Sequence, residues 1–198
     1  MTKLLVAAPA LFVAYGTARL IDGIDGSHGP GPAWTVGHVL FLIAFVLYAG
    51  VLLHLRRLVG DRPVARPLAT VATVVGLIGV LAFLRVTVID LIVGFRAADR
   101  PEMSRLGGEY DRWPGNLGLY EPLHTVGPLL FLIGLLTLAI LLATARKLPA
   151  WSPVVLVLGF VAITANLDLM PLGGLLLLIA ILPLTRAARP AGKTAVTI

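Results

Sequence analysis

Residues 34–58, WTVGHVLFLIAFVLYAGVLLHLRRL, stay almost continuously apolar until a pair of arginines ends them. They lack the strict polar/apolar alternation of a barrel strand. They therefore read as a helix crossing hydrocarbon, a task that takes about 20 residues for about 30 Å. The chain then says nearly the same thing again. Residues 124–148, HTVGPLLFLIGLLTLAILLATARKL, agree with residues 34–58 at 11 of 25 positions. The offset of 90 persists without a gap through Pro63 and Pro153, Val64 and Val154, Leu68 and Leu158, Val71 and Val161, Ala72 and Ala162, and Leu77 and Leu167, making 17 identities over 45 positions. A duplicated helix pair, 34–78 repeated as 124–168, accounts for the match. Two spans separate the copies, so both cross in the same direction, as a parallel repeat about an axis along the membrane normal.

The rest of the chain fits this frame. Of its 198 residues 58% are hydrophobic and 13% charged, where a soluble domain has about 25% charged. Six apolar runs are expected as spans: Leu4–Leu20, Ala33–Leu55, Leu68–Leu84 or beyond, Val126–Ala145, Ser152–Leu167 and Leu172–Leu184. The fold class is thus all-α, a polytopic helical membrane bundle forming one transmembrane domain over 1–198. The amino-terminal run, with Lys3 before it and Gly16-Thr17-Ala18 near its end, also has features of a cleavable signal peptide. A retained first span is the favoured reading, because Arg19 can snorkel to the far interface and an even number of spans puts both basic tails on one side.

The pI near 10.3 does not point to nucleic acid, because the basic residues sort by side. One side collects Lys3, Arg56, Arg57, Arg62, Arg66, Arg146, Lys147, Arg186, Arg189 and Lys193 against Asp61 alone; the other has six cations against nine acids. The positive-inside rule then places both termini in the cytoplasm of a multi-pass cell-membrane protein, with 96–120 an extracytoplasmic loop and 186–198 a cytoplasmic tail. Membrane lipids are the expected partners, together with a homodimer mate or a membrane partner protein. Cysteine is absent, which excludes disulfides and thiolate chemistry. Thirteen Arg against three Lys, with abundant Ala, Gly, Leu and Val, suits a GC-rich bacterial genome.

Ionisable residues in or near spans are costly and default to a functional reading. Asp168 and Asn166 precede the breakers Pro171 and Gly173-Gly174, and interrupted segments of this kind mark binding sites in transporters. Arg85 is expected near the outer interface, where it can pair with Asp90 or Asp168. His38 and His124 open spans two and four. Glu121 and His124 have the Glu-x-x-His spacing of di-iron bundles, but one copy is not such a site, and Pro122 fits the first turn of a helix. A mononuclear metal drawing on His38, His124 and Glu121 or Asp168 is a lesser alternative; no metal or cofactor is expected. Asp22, Asp25 and His28 among glycines read as a polar turn. The long outer loop, with Met103, Leu106, Tyr110 and Trp113, is expected to fold across the outer mouth, Trp113 and Tyr120 joining an aromatic belt.

The six-span layout, the Trp34/His38 opening of span two, the Arg-rich inner loop and the HTVGPLLFLIG opening of span four resemble small six-span membrane proteins of high-GC actinobacteria. The resemblance covers nearly the whole chain and implies a topology, but no activity and no residue roles. The residues point first to a non-enzymatic protein, with binding or transport at an outward-facing polar cavity. One alternative is an intramembrane enzyme acting on a lipid or isoprenoid, with Asp168, Asp90 or Glu121 as acid and His38 or His124 as base. The other is an accessory or scaffold protein without a pocket.

Overall fold

The computed structural model describes residues 2–60, 63–111 and 120–187, without the side chains of residues 2, 111, 120–124, 186 and 187. They form seven α-helices and one 3-10 turn, with no strand among the described residues. In chain order these are α1 (Thr2–Asp22), α2 (Pro32–Val59), α3 (Ala65–Arg96), α4 (Arg100–Asp111), α5 (Tyr120–Thr144), α6 (Trp151–Ala165), the 3-10 turn Leu167–Leu169, and α7 (Met170–Ala187). Five of them, α1, α2, α3, α5 and α7, are long and apolar enough to cross a membrane. The fifth expected span is shorter: α6 has 15 residues, about 22 Å at 1.5 Å per residue. The third continues past Leu84, as its open bound allows: the 32 residues of α3 reach about 48 Å, well beyond about 30 Å of hydrocarbon. Arg85 and Asp90 therefore lie toward its C-terminal end.

The six long elements close into a ring in the order α1, α2, α3, α5, α6, α7, with α7 returning to α1 and α2 also touching α5. Lipid offers helices no hydrophobic reason to associate, so close packing has to hold them together. The most extensive interface, α3 on α5, is built from small residues. A Cβ on Gly79 would lie 2.4 Å from the Phe131 backbone nitrogen, and one on Gly134 would lie 2.5 Å from the Ala72 carbonyl oxygen. The two backbones touch there because these positions have no side chain.

Elsewhere the interior is aromatic. Phe12 of α1, Phe41, Phe45 and Tyr48 of α2, Phe83 of α3, Phe131 of α5 and Phe160 of α6 form a continuous series of ring contacts. Phe45 stacks on Phe83 at 4.0 Å between centroids, a geometry worth about 0.5–1.5 kcal/mol beyond the area it buries. The outward faces remain apolar, as lipid-facing surfaces should: Val36, Val39 and Ile43 are exposed on α2, and Val126, Leu129 and Ile133 at the same offset of 90 on α5. The buried positions keep that offset too, with Gly37 and Gly127, Ala44 and Gly134, Phe45 and Leu135, Tyr48 and Leu138, and Leu52 and Leu142 all inside.

The expected outer loop contains α4, which packs on the projecting end of α3. Tyr110 is buried against Ile89 and Val93, with Met103 and Leu106 beside them. The Tyr110 hydroxyl accepts a hydrogen bond from Arg96 at 2.9 Å. Trp113 lies outside the described residues.

Candidate functional site: an ion-paired layer at one end of the bundle

The site begins with a glycine. Gly16 of α1 faces Pro171 so closely that a Cβ on it would sit 2.5 Å from the Pro171 Cδ. Pro171 lies in the first turn of α7, where a missing N–H costs nothing. This contact brings α1 against the break between α6 and α7, and Arg19, one turn beyond Gly16, meets Asp168. The Arg19 Nε donates to Asp168 Oδ1 at 3.1 Å. The break itself is organised by Asn166, whose extended backbone ends α6 and whose Oδ1 accepts from the Asp168 N–H at 2.8 Å. Asn166 thus shapes the turn that presents Asp168.

Two further groups join from the α1–α2 connection. His28 Nδ1 is 3.3 Å from Asp22 Oδ2, and its Nε2 is 3.7 Å from Asp168 Oδ1. The imidazole can lie there because Gly23 leaves room: a Cβ on Gly23 would be 2.6 Å from the ring. Next to it, Asp25 accepts from the N–H and the hydroxyl of Ser27, both at 3.0 Å. Those two bonds, the backbone one first, hold the Asp25 carboxyl below its ordinary range.

His38 makes a second pair one helix away. Its Nδ1 donates to the Trp34 carbonyl oxygen at 2.9 Å, so that nitrogen holds a proton, and Nε2 faces Asp90 Oδ2 at 3.9 Å. The ring lies between Trp34, tilted at 33° with centroids 3.9 Å apart, and Tyr15, edge-on at 5.8 Å. Trp34 in turn lies over Gly94 of α3, where a Cβ would be 2.6 Å from Nε1. Between the two pairs lies a small cleft lined by Tyr15, Arg19, Asp22, Ala33, Trp34, Gly37 and His38, with about 10 Å³ of room. That is about one water molecule.

The arrangement differs from the sequence expectation in its pairings. Asp168 is paired with Arg19 and His28, and Asp90 with His38; neither is paired with Arg85, whose Nη1 is buried without a hydrogen-bond partner among the described residues. Arg19, Asp22 and His28 belong to the layer although sequence reasoning read them as a snorkelling cation and a polar turn. The only advance signal was the common side that the charge count assigns them, since 149 residues separate Arg19 from Asp168. The side chains of Glu121 and His124 lie outside the described residues. Among the described residues no three acidic or histidine side chains converge to hold a metal.

Comparison with models of protein families, with curated proteins and with solved structures finds no match.

Proposed function

We propose that this protein is a multi-pass protein of a bacterial cell membrane with both termini in the cytosol, and that its outer polar layer serves a binding or transport-related role. The single observation behind this reading is the three-way tie of Arg19, His28 and Asp168 at the broken element between α6 and α7. Each partner comes from a different part of the ring, and all three are ionisable groups at a membrane boundary, where such groups mark ion or solute pathways. The cleft beside them holds about one water. A solute therefore enters by exchange, an anionic group taking Arg19 from Asp168 or a cationic group taking Asp168 from Arg19. Duplication of a helix pair supplies the frame, and a second copy or a membrane partner supplies further wall, because six spans are few for a carrier acting alone.

The test is a solute screen on the purified protein, read as thermal stabilisation and repeated on Asp168→Asn. A solute that stabilises the native protein and loses that effect in the variant supports the reading; a solute effect indifferent to Asp168 sinks it. Reporter fusions at Gly60 and after Ala187 test the topology, both being expected in the cytosol.

A second reading, an accessory or scaffold protein, is favoured by the closely packed aromatic interior and predicts no solute response. The catalytic alternative asks its acids and bases to share one apolar pocket, whereas Asp90 faces His38 and Asp168 is paired with Arg19.

A further inference from the structure

The opposite end of the bundle holds a second feature, independent of the outer layer and resting only on membrane embedding. An open cleft of about 280 Å³ between the end of α2 and the start of α3 is lined by Arg56, Arg57, Gly60, Arg66 and Ala69. Among the described residues no acidic side chain lines it. Arg56 is held in place across the helix pair: its Nε donates to Thr70 Oγ1 at 3.2 Å, and that hydroxyl donates to the Arg66 carbonyl oxygen at 3.0 Å. Arg56, so held, is part of the cleft lining. Gly60, at φ +84°, and Ala69 leave the floor without bulk.

We propose that this cleft binds the phosphate of an anionic diacyl phospholipid. Guanidinium groups match phosphate oxygens in paired hydrogen bonds, and basic clefts between spans are a recurrent place for anionic headgroups. A lipid fits better than a free phosphate because of what continues from the cleft. Arg57 shares one face of α2 with exposed Leu53, Val46, Ile43 and Val39, which recur at spacings of three, four and seven as one helix face requires. The headgroup among the arginines thus places the acyl chains directly on an apolar stripe of the same helix.

The experiment is native mass spectrometry of the full chain released from mixed vesicles of a phosphatidylglycerol and a phosphatidylcholine with identical acyl chains. The native protein should retain the anionic lipid preferentially, and the Arg56→Gln/Arg57→Gln/Arg66→Gln variant should lose roughly tenfold or more of that retention. Arg57→Gln alone, at an exposed position, should lose part of it if the triple variant does not fold. Arg100→Gln, at the opposite end, should change nothing. Equal retention of the two lipids, or retention unaffected by the arginine variants, overturns the proposal. Displacement of the lipid by millimolar inorganic phosphate would show a site for free phosphate and overturn it likewise, and a tightly held second copy in place of lipid would show that the stripe is a dimer face.

Discussion

The helix pair α2–α3 and its counterpart α5–α6 are alike in sequence, and α2 and α5 bury several equivalent positions, yet the pairs do different things. A Cβ on Gly37 of α2 would meet Ala18 and Tyr15 of α1 at 3.4 Å, an ordinary contact; one on its counterpart Gly127 of α5 would lie only 2.7 Å from the Ala82 Cβ of α3. The second helices diverge more. α3 runs on for 32 residues, whereas α6 stops after 15. Where α3 has Gly76 and Ile78, inside a continuous helix, the second copy has Asn166 and Asp168 at a break. The first helices differ at the outer end as well: His38 stands where α5 has Pro128. The repeated pairs thus contribute His38, Asn166 and Asp168 to the polar layer from positions at which their sequences differ, and Arg19, Asp22, His28 and Asp90 come from outside the repeat.

The largest expected effect comes from the interior. Phe131 is fully buried and contacts Phe45, Tyr48, Phe83 and Phe160, so Phe131→Ala should cost about 3–5 kcal/mol in reversible unfolding from mixed micelles. Its counterpart Phe41 is only partly buried, and Phe41→Ala should cost clearly less. Equal losses would mean that the two copies contribute alike to the core.

Next comes close approach. Gly134→Ala puts a Cβ 2.5 Å from a backbone oxygen, and a backbone cannot step aside as a side chain can. A loss of about 1–3 kcal/mol is expected from such overpacking. Gly37→Ala, whose Cβ would sit 3.4 Å from Ala18, should stay within about 0.5 kcal/mol of the native protein. If Gly37→Ala proves as damaging as Gly134→Ala, the contrast between the α1–α2 and α3–α5 interfaces is wrong.

The ion pair at the break should matter little to stability. Asp168 is about half exposed, with 45% of its side chain accessible, so Asp168→Asn should cost about 0–1 kcal/mol by the same unfolding measurement, while removing any solute response. The smallest effect belongs to Asp25. Its carboxyl is held below the ordinary range by Ser27, so its contribution is present above the unfolded-state pKa of about 3.9 and is lost as pH falls through the lowered folded value. Asp25→Ala should flatten that acid limb of the stability curve without changing stability near neutral pH by more than a surface turn would.

Much of the fold was legible because its signals are local. A run such as Leu40–Val46 must satisfy its own backbone hydrogen bonds in lipid, and only a helix does so over that length. The lengths of α3 and α6 were less legible. Residues 85–96 have Arg85 and Asp90 within an otherwise apolar run, and their helix is continued by packing against α4 through Ile89, Val93 and Tyr110, contacts no local pattern announces. Asp168, Asn166, Asp90 and His38 were visible as ionisable or helix-breaking residues near spans. Their partners were not: Arg19 and His28 look like ordinary boundary residues until α1 is laid against α7.

The amino-acid sequence alone determined the helices, their apolar outer faces and the segregation of charge to the two ends, because hydropathy and charge act on each segment separately. Which helix touches which, and hence which acid meets which base, was decided only in the tertiary structure. In a bilayer that choice follows from shape, from places such as Gly16, Gly79 and Gly134 where a missing side chain lets one helix approach another, and shape complementarity is a property of two surfaces that no single segment contains.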